Sequence, residues 1–407
     1  MALALSAEQR AALAVAWRAL WMTRLLVWVA GTAAVLVFGV LHRVAATFDP
    51  TGVTQPYGAV GDLLVAPAAR WDSVWFLAIA QTGYGADGER GAFFPLYPLL
   101  VKVAGLLTGS PLAGAVLLST AAFLGATYLL HRLTALELGE EAARHAVWAL
   151  ALFPMAFFFS GVYSEALFLL LSVGAVYAAR TENWAWAGAL SALGAMTRSA
   201  GVLLAVPLVL LYVRQHGWRP RRDALWIALV PLGLAAFSAI LAVAGEDPLT
   251  PLRAQEVWLR AFAGPFGGVW DGAVAAWAGA RQVLSGSRTP ARFPAAGGDP
   301  FTAAAHNLTQ MAFLLAAVPA LIGVFRRLPL AYGAYVLCAL ALPLSYPVAP
   351  QPLMSLPRFL AVLFPLFMWL GWWLARGGPA RRVTVLAAFG LGLVLFTGQF
   401  ATWHWVA

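Results

Sequence analysis

An all-α polytopic membrane protein, a bundle of about eleven transmembrane helices, is the fold class this sequence predicts, on three observations. Of 407 residues, 62% are hydrophobic and only 11% are charged; a soluble domain needs about a quarter charged to keep its surface wet. Apolar runs of membrane length recur to the C-terminus, and the mean hydropathy is +0.79. The 18 tryptophans suit two membrane interfaces, where indole buries its ring and hydrates its N–H.

The formal charge is +9, yet the arginines sit in short clusters between apolar runs, as topology signals do. That dispersal argues against a nucleic-acid partner. Cys338, the one cysteine, lies inside an apolar run, so neither a disulfide framework nor a cysteine metal site can form within the chain. Arginine almost wholly replaces lysine, and with abundant Ala and Gly this composition points to a GC-rich bacterial genome. The localisation expected is therefore the bacterial cytoplasmic membrane.

The first apolar run, Trp17–Leu41, exceeds a signal-peptide core and crosses a bilayer core of about 30 Å with room to tilt. Arg10, Arg18 and Arg24 on its N-terminal side place that end in the cytoplasm. The chain from residue 42 to 111 is then the first extracytoplasmic loop. Within it, Phe93–Gly109 could span or could lie in the outer leaflet. If it spanned, Arg214, Arg219, Arg221 and Arg222 would face outward, as would Arg326–Arg327 and Arg376, Arg381 and Arg382. Pro95, Pro98 and Lys102 also make a poor spanning helix. An interfacial or re-entrant segment is the reading adopted. The remaining spans fall near 112–131, 146–160, 164–179, 184–198, 200–214, 224–244, 307–325, 330–346, 358–375 and 383–402. A second outer loop, 245–306, is rich in Gly and Pro and carries Trp258, Trp270 and Trp277, which suggests short interfacial helices. The whole of 1–407 reads as one membrane domain.

Four charged residues stand out at the outer face, Asp72 in the first outer loop and the other three at span ends. Asp72 is the only charge in Trp71–Ala80 and Glu165 introduces the apolar run Ala166–Leu171. Each could be a helix-start acid, stabilised by the helix N-terminus, or a functional carboxylate. Arg198 lies at a tight outer turn and Arg358 opens a later span. Outer-face arginines run against the positive-inside trend; each either snorkels to lipid phosphate or holds an anionic substrate.

The blocks RWDSVWFLAIAQTGY (70–84), AFFPLYPLL (92–100), GVYSEALF (161–168) and TRSAGVLLAVPL (197–208), in that order, resemble the PIG-V family of mannosyltransferases. SLPRFLAVLFP (355–365) is similar to the family's later Arg-Phe/Tyr block. The resemblance implies a type C glycosyltransferase fold, with its active site in the first outer loop and a polyprenyl-phosphate sugar as donor. It matches Asp72 to the superfamily's catalytic acid in loop one and places Trp71, Tyr84, Tyr97, Tyr163, Ser164 and Glu165 at the substrate, together with Arg198 and Arg358, which the chemistry below assigns to the departing phosphate, with Asp72 as the base. Mannose is likewise implied by the family. The acceptor stays open between a glycan, a lipid and a protein hydroxyl, because a bacterium has no GPI precursor.

The chemistry can be argued separately. A sugar on polyprenyl phosphate already has a good leaving group, so the site needs one base at the acceptor hydroxyl and positive charge at the departing phosphate. Glycosidases instead require two carboxylates. A single displacement inverts the anomeric centre. No cofactor is demanded; a divalent metal between Asp72 and Glu165 is compatible with the residues. The competing class is a transporter or flippase of a lipid-linked or amphipathic substrate, which would show paired repeats and midplane charges. Here the unusual polar residues gather at one face, which favours chemistry at the membrane surface.

Overall fold

The computed structural model describes residues 6–85, 89–251, 253, 260–289, 292 and 299–406. Among them the chain forms α-helices, short 3₁₀ turns and no strand, as expected where lipid offers backbone groups no other partner. Six helical stretches are long and apolar enough to cross a membrane: Ala7–Phe38, Pro111–Leu138, Ser199–His216, Arg222–Val243, Pro300–Arg327 and Pro379–Ala401. These coincide with six of the eleven expected spans.

The other five expected spans are occupied by shorter helices. Segment 146–160 is divided into Glu140–Leu152 and a 3₁₀ turn, Ala156–Phe159, broken where Pro154 cannot continue the helix. Segment 358–375 is likewise split into Leu356–Ala361 and Phe364–Ala375. Glu165–Arg180, Trp184–Ala195 and Leu330–Ser345 have 16, 12 and 16 residues, and 16 residues reach only about 24 Å. Broken pieces persist because they are packed in protein. Among the described residues the main hydrophobic core draws on residues from Ala19 to Val406.

The helices are labelled in chain order: α1 (Ala7–Phe38), α2 (His42–Phe48), α3 (Gly58–Val65), α4 (Ser73–Thr82), α5 (Leu96–Thr108), α6 (Pro111–Leu138), α7 (Glu140–Leu152), α8 (Glu165–Arg180) and α9 (Trp184–Ala195). There follow α10 (Ala205–His216), α11 (Leu229–Val243), α12 (Gly267–Ser285), α13 (Pro300–Arg327), α14 (Leu330–Ser345), α15 (Leu356–Ala361), α16 (Phe364–Ala375) and α17 (Pro379–Ala401).

Contacts between distant residues define one end of the bundle. Arg132 near the end of α6 pairs with Glu8 at the start of α1. Arg180 at the end of α8 and the Tyr332 hydroxyl both donate to Glu137, and Arg382 lies 3.6 Å from Glu141. Arg327 and Arg376 flank the Trp372 ring at 4.3 and 4.6 Å. Gln215 donates to the Ala179 carbonyl at 3.0 Å, bringing Arg214 and the 219–222 arginines to the same end. Glu165, Arg198 and Arg358 belong to the opposite ends of these helices. The end of α1 is tied to the end of α17 there, through Leu41 N–H to the Thr402 carbonyl.

Helix α5 has 13 residues, about 20 Å against a core of about 30 Å. It folds back along the first turns of α6: Gly105 lies against Pro111, and the Tyr97 hydroxyl bonds Ser119. Before it, Gly58–Ala68 and α4 meet at a 109° bend. The loop from α1 to α6 therefore enters and leaves at the site end.

Arg24 is not an interfacial topology signal. It is 9% exposed and donates to the Ala151 and Ala156 carbonyls at 3.2 and 2.5 Å, groups freed by the break after α7. Residues 245–306, expected to be an outer loop with short interfacial helices, contain α12, of 19 residues; Trp270 and Trp277 lie exposed on it, and Trp258 lies outside the described residues.

Candidate active site

The first carboxylate is placed by a strained turn. Trp71 adopts φ +55°, a left-handed conformation that costs a non-glycine residue about 1–2 kcal/mol. The turn is held by Arg70, whose guanidinium donates to the carbonyls of Ala66, Ala69 and Ala401 at 2.6, 3.1 and 2.9 Å. Burial lowers the Arg70 pKa to about 10. The Tyr163 hydroxyl donates to the Arg70 carbonyl at 2.9 Å, fastening this block to the one that carries Glu165. Asp72 then occupies the N-cap of α4 but makes no capping hydrogen bond. Its side chain is turned elsewhere.

That elsewhere is Arg358. One guanidinium nitrogen, Nη1, lies 2.5 Å from Asp72 Oδ2, while Nε donates to Glu165 Oε1. Arg358 thus bridges the two carboxylates, above the Tyr163 ring at 4.7 Å. It rides on α15, whose N-cap, Ser355, is also left-handed at φ +69°. Arg198 reaches the same Glu165 oxygen from the turn after α9, Nη1 to Oε1 at 2.5 Å. Glu165 is fully buried; an isolated carboxylate there would be prohibitively costly, and two guanidinium partners resolve it. Its Oε2 has no hydrogen-bond partner.

Asp72, Arg198 and Arg358 wall a cavity of about 180 Å³, lined also by Ser164, Thr197, Ser199 and the rings of Phe76, Phe93, Phe359 and Trp405, while the buried Glu165 lies behind the two arginines. Arg260 lines it too, and sequence reasoning missed it. Its guanidinium donates to the carbonyls of Tyr346 and Met354 at 3.0 and 3.1 Å, and burial holds its pKa down to about 10. The available signal was its place in a Gly- and Pro-rich stretch near Trp258, too faint to single it out.

Of the residues expected at the substrate, the fold gathers Asp72, Ser164, Glu165, Arg198 and Arg358. The aromatic ones stand behind the wall. Tyr84 is buried with its hydroxyl on the Phe93 carbonyl at 2.7 Å. Tyr97 is buried on Ser119 at 2.8 Å, and Tyr163 supports Arg358. Trp71 packs among Phe48, Trp403 and Trp405, with its indole N–H unpartnered. The residues do not fit a divalent metal between Asp72 and Glu165, because the Arg358 guanidinium fills that position. No cluster of three or more metal-ligating side chains occurs among the described residues.

Residues 57–214 match the family model Mannosyltransferase (PIG-V). Over that segment the chain is similar to the PIG-V family. It is similar to GPI alpha-1,6-mannosyltransferase 2 of Rattus norvegicus, 35% identical over 176 residues, which cover 39% of this chain and 35% of the rat protein. It is also similar to the proteins of the same name from Cricetulus griseus, 36% identical over 34% of this chain and 30% of theirs, and Mus musculus, 35% over 36% and 33%. The matched stretches amount to about a third of the length of these relatives. The PIG-V segment holds Asp72, Ser164, Glu165 and Arg198; Arg260 and Arg358 reach the cavity from beyond it.

Proposed function

We propose that this protein is a membrane mannosyltransferase that moves a mannosyl residue from a polyprenyl-phosphate donor to an acceptor hydroxyl. The observation that carries the reading is the cavity in which Asp72 stands against a wall of arginines. Arg358 engages Asp72 Oδ2 and leaves Oδ1 without a protein partner among the described residues. The acceptor oxygen attacks the anomeric carbon as its proton passes to Asp72. The bond from that carbon to the phosphate oxygen breaks, and the electron pair leaves with the phosphate. Arg198, with Arg358 beside it, faces the charge that gathers there. Attack opposite the leaving group inverts the anomeric centre.

The active site opens on the extracytoplasmic face. The arginine clusters gathered at the other end of the bundle support this orientation through the positive-inside rule. The acceptor is a lipid glycan, a cell-wall polymer or a protein, in a bacterial cytoplasmic membrane. Purified protein in lipid, given radiolabelled polyprenyl-phosphate mannose and a membrane extract, should transfer label into a glycan, lipid or protein fraction. Movement of the intact donor across the bilayer, with no transfer, would overturn the reading in favour of transport.

A further inference from the structure

The charges around the cavity do not cancel. Asp72 and Glu165 carry two negative charges, and Arg198 and Arg358 are the two cations bound to them. Arg260 is left over. It pairs with no carboxylate among the described residues; its partners are two carbonyl oxygens. Two of its five N–H donors are thereby used. Beside it, Arg198 and Arg260 approach the Phe359 ring at 5.8 and 6.0 Å. The cavity therefore carries one surplus positive charge, that of Arg260.

Immediately behind this pair lies a second cavity, of about 80 Å³, that shares Arg198, Ser199, Arg260 and Phe359 with the first. Its other walls are apolar, among them Ala200, Ala339, Leu342, Pro343 and Leu363. Leu342 is 36% exposed on α14, toward the outside of the bundle. A cationic point with an apolar slot leading from it toward lipid selects an amphipathic anion.

We propose that Arg260 and this apolar cavity form one subsite, which holds the phosphate and the first isoprene units of the donor. This inference rests on the mannosyl-transfer reading for the identity of the sugar, but not for the lipid phosphate. A polyprenyl-phospho-sugar is a phosphodiester of single negative charge, equal and opposite to the surplus. When the sugar leaves, the released phosphomonoester gains charge, so Arg260 holds the products' phosphate more strongly than the substrate's. Stabilisation that grows along the reaction accelerates it. The chain then lies between the Ser199–Leu204 turn and α14, and the sugar points toward Asp72.

The test uses the intact protein in nanodiscs and a polyprenyl phosphate with a diazirine on its first isoprene unit. Photolabelling should fall on residues 199–204 and 339–343. Arg260→Gln should weaken binding by about tenfold or more, the loss expected for a charge-assisted contact. Ala339→Trp, which fills the slot, should abolish labelling there, and polyprenol lacking phosphate should compete poorly. Arg260→Lys, which keeps the charge, serves where the Gln variant fails to fold, and should bind with intermediate strength. Absence of binding by the wild type, labels placed elsewhere, or affinity unchanged in folded Arg260 variants would overturn the subsite. Mannose transfer is measured separately. Labelling as expected without any transfer leaves the subsite standing and removes the mannosyltransferase reading; transfer with a donor KM indifferent to Arg260 does the reverse.

Discussion

Asp72 commits one carboxylate oxygen to Arg358 and leaves the other free of protein partners, and this asymmetry sets what its variants should do. Asn at this position keeps an oxygen for Arg358 but cannot take a proton. Turnover per folded molecule should fall by about 10²–10⁴, the usual worth of a general base. Donor affinity should hold, because removing a negative charge does not weaken attraction to a phosphate. A folded Asp72→Asn enzyme within a few-fold of wild type would make Asp72 structural. Arg358→Lys makes a second case. An ammonium cannot reproduce the fork that meets Asp72 and Glu165 together, so both transfer and melting temperature should drop, whereas Arg198→Lys should chiefly raise donor KM. Full activity in both would reduce the arginines to anchors. Asp72, Glu165, Arg198 and Arg358 were legible in the sequence because a charge beside an apolar run needs a partner or a purpose. Arg260 was not, since an arginine in a Gly- and Pro-rich loop needs neither. The supporting roles of Tyr84, Tyr97 and Tyr163 depend on hydroxyl partners that no local pattern reveals.

At the scale of elements, the long helices were readable from hydropathy and the broken ones only in outline. A run such as 146–160 reads as one span, since hydropathy averages over Pro154; what fills the break is Arg24, which sequence assigns to the membrane edge. The turn carrying Arg198 shows how closely two elements can be required to meet. A Cβ on Gly201 would lie 2.2 Å from the carbonyl carbon and oxygen of Gly194, and those backbone atoms cannot rotate away. Gly201→Ala should therefore part α9 from the Ser199–Leu204 turn, at a cost of about 1–3 kcal/mol. A lowered melting temperature in nanodiscs together with a raised donor KM is expected, because Arg198 moves with the turn. A melting temperature and KM equal to wild type would mean that Arg198 is positioned by Glu165 alone.

At the scale of the whole molecule, sidedness is the property on which the proposed chemistry depends. A donor and acceptor displayed outside the cell require the cavity to face outward, and the chain must cross the bilayer in a way that permits it. Parity argues for this. If α5 crossed, the arginines near residues 214–222, 326–327 and 376–382 would exchange sides with Arg10 and Arg18. Instead, ion pairs and ring contacts hold all of these groups at the end of the bundle where α1 begins. Removing Arg24 from the argument leaves it intact, since Arg10 and Arg18 are exposed. The expected arrangement has Thr51, exposed between α2 and α3, outside the cell, and Trp218, 87% exposed after α10, inside. In a Cys338→Ser background, Thr51→Cys should react with a membrane-impermeant thiol reagent in intact cells. Trp218→Cys should react only after the membrane is opened. Labelling of both from outside would mean that the chain crosses once more between them, and labelling of Trp218→Cys alone would invert the protein. In either case the arginine clusters could no longer serve as the cytoplasmic marker, and in the second the cavity around Asp72 would lose its outward assignment.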